Sequence, residues 1–462
     1  MNESLADLTA TELLVRYRDG SVSPVEVIES VLARVKTLEP SLCATYALDP
    51  AGALAAARES ERRWLRGDPA GPLDGVPVTV KENIATRDTP VPQGTAATEL
   101  VPAAEDAPAA ARLRSAGAVI FSKTTMPEYG MLSSGVSTFH QLTRNPWDLS
   151  RTAGGSSAGA AAAAAAGYGP LHVGTDIGGS IRLPAGWCGV VGLKPTHGRI
   201  AVGHPYPGRV IGPITRSAAD SALLVSVMSG YDRRDHTSLP QLADRYVASE
   251  SAAGLRVGLL LDAGLGLAMD PEVSAAVARA ASSLESAGAV VEAIEPIITR
   301  EMLDGLDRFW QVRSAADILA LPQDRRAKVL PEIRRWVQNA ADLTGFEVFD
   351  GFNQMGIMAA AVDASFGSYD FILSPVAPIT AFAAESAYPT DDPLRPFEHI
   401  AFTVPYNMSG HPAASVNCGW SSSGLPIGLQ IAGPRFDDMA VLRLAALVDS
   451  LQTDRRPWPT AA

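Results

Sequence analysis

Two glycine-rich runs that carry serines, and one lysine, hold the chemistry legible in this chain. "GTDIGGSIRLPAG" (174–186) sets Ser180 behind two adjacent glycines. The backbone N–H groups of Ile177, Gly178, Gly179 and Ser180 can converge there, because glycine admits the dihedrals such a turn needs. A hydroxyl beside converging donors suits a nucleophile attacking a carbonyl, the donors holding the oxyanion that forms. "TAGGSSAGAAAAAAAG" (152–167) puts Ser156 and Ser157 before a run of strong helix formers, at the free N–H groups of a helix start. Capping is the plain role for such serines. No histidine or carboxylate stands at a spacing that would take a serine's proton.

The third piece is "GVPVTVKENI" (75–84). As a strand it points Val78, Val80 and Glu82 one way and Thr79, Lys81 and Asn83 the other, so Glu82 does not pair with Lys81. An ammonium entering an apolar interior without a carboxylate loses affinity for its proton. Bringing it from about 10.4 to about 7–8 corresponds to roughly 3–5 kcal/mol. The plain alternative is a surface lysine whose stem lies along apolar surface. Lysine is scarce: only Lys36, Lys81, Lys123, Lys194 and Lys328 occur, every other basic side chain being arginine.

These pieces need a scaffold that brings them together. Residues 1–67 read as helical, with Ser23-Pro24 as N-cap and first-turn proline ahead of Val25, Ile28, Leu32 and Val35. From Gly71 the texture becomes strand, helix, strand, ending in "AVIFSKT". "LRSAGAV" (113–119) and "LESAGAV" (284–290) both close a helix with glycine and enter a strand; the second follows "LRVGLLL" and a helix capped by Asp270-Pro271. Residues 231–254 read as a polar excursion and 300–365 as helical. Strands return at 371–376 and in 413–432. The reading is an α/β fold with a large mixed twisted sheet and helices on both faces. It forms one unit over 1–462: a helical segment (1–67), a catalytic core (71–230), a variable substrate-shaping region (231–365) and the rest of the core (366–462).

Composition narrows the function. The 462 residues carry a net charge of −12, with 47% hydrophobic and 19% charged residues. That balance suits a soluble globular enzyme and speaks against nucleic acid as partner. The N-terminal "MNESLADLTATELL" is no basic, apolar signal segment, and no apolar run reaches membrane-spanning length. Cys43, Cys188 and Cys418 form no CxxC pair, so a reducing, cytoplasmic setting is expected. His172, His197 and His204 lack metal-ligand spacing and read as structural. No metal and no cofactor are expected.

Taken in order, "GVPVTVKENI", "GGSS" with its alanine-rich helix and "GTDIGGSIRLPAGWCGVVGLKPTHGR" resemble the amidase signature family. "SKTTMPEYG" (122–130), "NPWD" (145–148), "GPITRSAAD" (212–220) and "SGHPAASVNCGWSSSGLPIGLQIAG" (409–433) extend the resemblance over most of the chain, least over 231–365. It implies a Ser–Ser–Lys set: Ser180 as nucleophile, Ser156 as bridging serine after a cis peptide, and Lys81 as base. Ile177, Gly178 and Gly179 would form the oxyanion hole. Ser157 would support the set from the helix start; Asp176 and Arg182, flanking the loop, read as an ion pair fixing its shape, with direct substrate contact as the alternative. Gly130, Met131 and Arg209 are candidate substrate contacts. No basic cluster awaits a substrate carboxylate, although Arg209 invites a test. The tryptophans and phenylalanines of 300–365 (Trp310, Trp336, Phe346, Phe349, Phe352), with Met355 and Met358, read mainly as core, some as pocket wall.

The expected activity is acyl-enzyme cleavage of a small, neutral, apolar or aryl amide, or of a carbamate as in a urethanase, by a monomer or homodimer without nucleic-acid or membrane partners. Two rivals stand beside it. One is the amidase subunit of a tRNA-dependent amidotransferase, a branch that tends to carry glutamine where this chain has Leu183. The other is an α/β-hydrolase esterase using Ser157 in Gly-Ser-Ser-Ala-Gly (155–159), which needs a strand before the elbow and His399 or His411 downstream.

Overall fold

The computed structural model describes residues 4–249, 251–390 and 392–459. Helices dominate up to residue 65. Ser23 caps Pro24–Leu42 in a reciprocal capping box with Glu26, as the Ser-Pro signal predicts.

Strands from both ends of the chain join one eleven-stranded sheet. In spatial order they are Thr45–Tyr46, Val119–Thr124, Pro77–Lys81, Leu171–Asp176, Val210–Thr215, Val191–Lys194, Ala413–Trp420, Pro426–Ala432, Phe371–Pro375, Arg256–Leu259 and Val290–Ala293. The sheet is mixed. Pro77–Lys81 runs parallel to both its neighbours, while Leu171–Asp176 is antiparallel to Val210–Thr215. The two SAGAV connections behave alike: Gly117 and Gly288 take positive φ after their helices. Each following strand then pairs in parallel with the strand before its helix.

The register places the lysine. Val80 lies opposite Val173 in the parallel pair, which sets Lys81 level with Gly174 and one residue short of Thr175, so Lys81 and Thr175 lie at the same end of the sheet. Side chains and ligands gather at this carboxyl end of parallel strands in open α/β sheets. The alanine-rich helix Ala158–Ala166 is buried along its whole length, as a helix apolar all round must be. Small residues are required there: a Cβ on Gly159 would fall 2.2 Å from the carbonyl oxygen of Ala44.

Residues 231–249 hold no helix or strand beyond the bridge at the preceding Ser229–Gly230, and 300–365 is helical, mainly Arg300–Ala320 and Gly345–Ser365. The aromatic content of this part divides. Trp310, Trp336, Met355 and Met358 are core, packed with Leu183, Trp187 and Ile400. Phe346, Phe349 and Phe352 are exposed instead, because they lie on the outer stripe of Gly345–Ser365 while Met355 and Met358 face inward.

Candidate active site

Lys81 is fully buried at the end of its strand. Its Nζ lies 2.8 Å from Ser156 Oγ, 3.1 Å from Ser157 Oγ and 2.9 Å from Thr175 Oγ1. Burial pulls the ammonium down to about 7, against the attraction of Asp176 and Glu82. Glu82 does not pair with it: the strand parity turns Glu82 away, where it accepts from Gln93 N, Gly94 N and His140.

Burial alone does not single out this lysine. Lys123 and Lys194 are buried too, and are lowered to about 8 and about 7. Their amines donate to backbone carbonyls, of Ile84 and Pro195. Only Lys81 of the three faces hydroxyls, which can yield a proton as well as accept one.

The peptide bond between Gly155 and Ser156 is cis. Ser157 is the N-cap of the alanine-rich helix, but its hydroxyl does not cap. It is drawn to the lysine instead, donating to Thr175 O and accepting from Thr175 N. The esterase reading fails on this geometry. The strand before the elbow, Asp148–Thr152, belongs to a separate two-stranded hairpin. His411 is engaged with Ser409 and Asp363, and His399 stacks on Trp187.

Ser180 lies in the loop between the Leu171–Asp176 strand and the Arg182–Cys188 helix, partly open to solvent. Its carbonyl accepts from Ser157 N at 3.0 Å, which ties the two serine loops together. No hydrogen bond joins Ser180 Oγ to Ser156 Oγ among the described residues. The loop is held by Asp176, which accepts from Gly179 N and Ile181 N and pairs with Arg182 at 3.1 Å. Arg182, fully buried, also donates to Thr403 O, Gln430 and Asn407. Burial pushes the Asp176 carboxyl up, but Arg182 and Asn407 outweigh it and hold the group well below the usual range.

This anchoring corrects the expected oxyanion donors. The N–H of Gly179 is spent on Asp176 Oδ1 at 2.8 Å and is not free. Asp176 ends its strand facing back into the turn, and the turn needs that acceptor to close. Within this loop the N–H groups of Ile177, Gly178 and Ser180 make no hydrogen bond among the described residues. Thr403 Oγ1 donates to Gly178 O at 2.6 Å, setting that peptide's orientation.

A small cavity of about 30 Å³ opens over Ser180, lined by Gly130–Ser133, Ile177, Gly178, Leu183, Trp310, Arg313, Phe397 and Ile400. Gly130 and Met131 thus border the space over the serine. Arg209 lies apart, lining a neighbouring cavity of about 510 Å³ together with Asn83 and Thr175. Sequence reasoning missed Thr175 and Arg313; Asn83 was placed on the Lys81 face without a role, and Trp310, read as core or pocket wall, is both. Strand pairing sets Gly174 level with Lys81, so it does not by itself bring Thr175 to the amine. Among the described residues no three His, Cys, Asp or Glu side chains are grouped to hold a metal ion, and no helix is long and apolar enough to cross a membrane.

Comparison with known proteins follows the same lines. The family model described as Amidase matches residues 26–442. A glutamyl-tRNA(Gln) amidotransferase subunit from Desulforapulum autotrophicum is 34% identical, over 95% of this chain and 96% of that protein. A bacterial aryl acylamidase of the amidase signature family superposes with a TM-score of 0.87 at 28% identity, covering 96% of each chain. The corresponding amidotransferase subunit from Thermotoga maritima superposes with a TM-score of 0.80 at 28% identity, covering 99% of each chain. This chain belongs to the amidase signature family and is a hydrolase of amide C–N bonds.

Proposed function

We propose that Ser180, Ser156 and Lys81 hydrolyse an amide or carbamate through an acyl-enzyme. The observation that carries this is the neutral-poised amine of Lys81, 2.8 Å from Ser156 Oγ and without a carboxylate partner. Ser180 Oγ attacks the carbonyl carbon. Its proton passes to Ser156 Oγ, whose own proton passes to Lys81 Nζ. The oxyanion is received by the N–H groups of Ile177, Gly178 and Ser180. When the C–N bond breaks, the relay runs backward and protonates the leaving amine. Water then attacks the Ser180 ester, yields a proton to the same relay, and releases the acid. The relay needs one hydrogen bond that the free protein does not make, Ser180 to Ser156; catalytic hydrogen bonds commonly tighten only with substrate bound.

Met131, Leu132, Leu183, Trp310, Phe397 and Ile400 give the cavity over Ser180 an apolar wall. That supports a substrate apolar at its reacting end, an aryl or alkyl amide or the related carbamate. The superposition on the aryl acylamidase supports the aryl amide among these.

The sequence relatives support a second reading, the amidase subunit of a tRNA-dependent amidotransferase, which requires partner subunits. The purified chain, given butyryl-p-nitroanilide, a primary amide and an aryl carbamate, tests both. Turnover by the chain alone, lost in Ser180→Ala, supports the first reading. Turnover that appears only with added partner subunits supports the second. A Ser180→Ala protein that retains full turnover overturns the Ser180 assignment.

A further inference from the structure

Two arginines near the site have no acidic partner. Arginines packed against the fold elsewhere do: Arg34 and Arg216 share Asp7, Arg63 has Asp74, Arg182 has Asp176 and Arg199 has Asp438, whereas Arg209 is exposed and Arg313 half-buried. The side chains of Arg209 and Arg313 make no hydrogen bond or ion pair among the described residues. Each guanidinium carbon sits 5.2 Å from the centre of the Tyr206 ring, so the two are at most twice that distance apart.

Stacking on tyrosine is common for arginine and would need no further account. The unmet donors go beyond it. Arg313 Nε is buried and unpartnered, and so is Trp310 Nε1, one turn earlier on the same helix. Tyr206 Oη, on the ring that both arginines approach, is likewise buried and unpartnered. Trp310 and Arg313 both line the cavity that contains Ser180. Arg209 lines a second cavity together with Thr175, the partner of Lys81. The packing around Arg209, and then Arg313, disfavour its charge, against a smaller pull from Tyr206 and from Asp317, which lies beyond ion-pair distance.

We propose that the substrate carries a carboxylate, received by Arg209 and Arg313 beside the Tyr206 ring. Guanidinium groups match carboxylate geometry and bind it by paired, charge-assisted hydrogen bonds. The substrate is then an amide with an apolar reacting end and an anionic far end. This replaces the neutral substrate expected from the sequence, which could not show that residues 209 and 313 meet. The inference rests on the Ser180 reading only for where the scissile bond lies.

The test has two readouts. In the first, kcat/KM is compared within two pairs of substrates. Glutaryl- and butyryl-p-nitroanilide place the charge on the acyl side; N-butyryl-4-aminobenzoate and N-butyrylaniline place it on the amine side. The wild type should favour the charged member of at least one pair. In Arg209→Gln and in Arg313→Gln the charged-to-neutral ratio for that pair should fall by about 10- to 100-fold, the range for hydrogen bonds to charged groups. Arg313→Lys, which keeps the charge but not the fork, should recover part of it. A wild type that prefers the neutral member of both pairs overturns the proposal, as does a ratio that stays within about twofold in both glutamine variants. In the second readout, glutarate binding to the Ser180→Ala protein is measured by calorimetry, with and without each arginine change. Loss of glutarate affinity in both arginine variants supports the proposal even if no amide is turned over, an outcome that would count against the Ser180 reading alone. Glutarate binding unaffected by either change overturns the proposal.

Discussion

Replacing Lys81 with methionine should make the protein more stable at neutral pH while destroying its activity. The lysine is held at about 7 instead of 10.5, so its charged form is disfavoured in the fold by about 5 kcal/mol. The sign follows from proton linkage. Between pH 7 and 10.5 the unfolded chain holds a proton that the folded chain lacks, so the wild type gains stability as pH rises through that window. Below pH 7 both states are protonated and the full penalty applies; near pH 10.5 it is nearly gone. Methionine removes the penalty at every pH. It also leaves Ser156, Ser157 and Thr175 each without one hydrogen bond, a loss of about 1 kcal/mol apiece. The variant should therefore be about 1–2 kcal/mol more stable than wild type at pH 7 and less stable by pH 10. Urea unfolding of both proteins at intervals from pH 6 to 10 reads the difference directly, and subtraction cancels the other buried lysines. The swing across that range, about 4 kcal/mol, is the firm part of the prediction. A difference that stays flat with pH would refute a depressed Lys81.

The remaining predictions concern rate, anchoring and packing. In the wild type, log kcat/KM should climb through about pH 7 and level off above it, because Lys81 must lose its proton before it can accept one; a profile flat from pH 5 to 9 would contradict this when chemistry limits the rate. Arg182→Met should destabilise the protein by about 3–5 kcal/mol, since it strands the buried Asp176 carboxylate, a loss measurable by urea unfolding. Gly159→Val should lower Tm by several degrees or prevent folding, because even its Cβ would meet the Ala44 carbonyl. Gly178→Ala should chiefly lower kcat, since a Cβ there would press on Trp310 at 3.2 Å and disturb a peptide whose N–H faces the reaction.

Much of the fold was legible locally. The caps at Ser23 and Asp270, the glycine-ended SAGAV connections and the strand around Lys81 follow from short-range patterns, and all stand in the structure. The parity argument at Lys81 also holds, since Glu82 turns to His140 while Lys81 meets the serines. What failed depended on neighbours distant in sequence. A buried lysine looked diagnostic, yet three of the five are buried, and only the identity of their acceptors separates them. Gly179 looked like an oxyanion donor until Asp176 was seen to claim its N–H. The Phe346, Phe349 and Phe352 stripe was read as core or pocket wall and is exposed. That Arg209 and Arg313 share the Tyr206 ring depends on where the Arg300–Ala320 helix packs, with Trp310 and Arg313 over the Ser180 loop, which no local pattern encodes.

The claim on which the mechanism stands is an uncharged Lys81 at working pH. With only five lysines in the chain, side-chain NMR of lysine-labelled protein can follow the amines individually, and the signal missing in Lys81→Met identifies the one that matters. The account predicts that this signal titrates near pH 7 in the folded protein. A signal that titrates above pH 10, like that of a lysine in water, would contradict it.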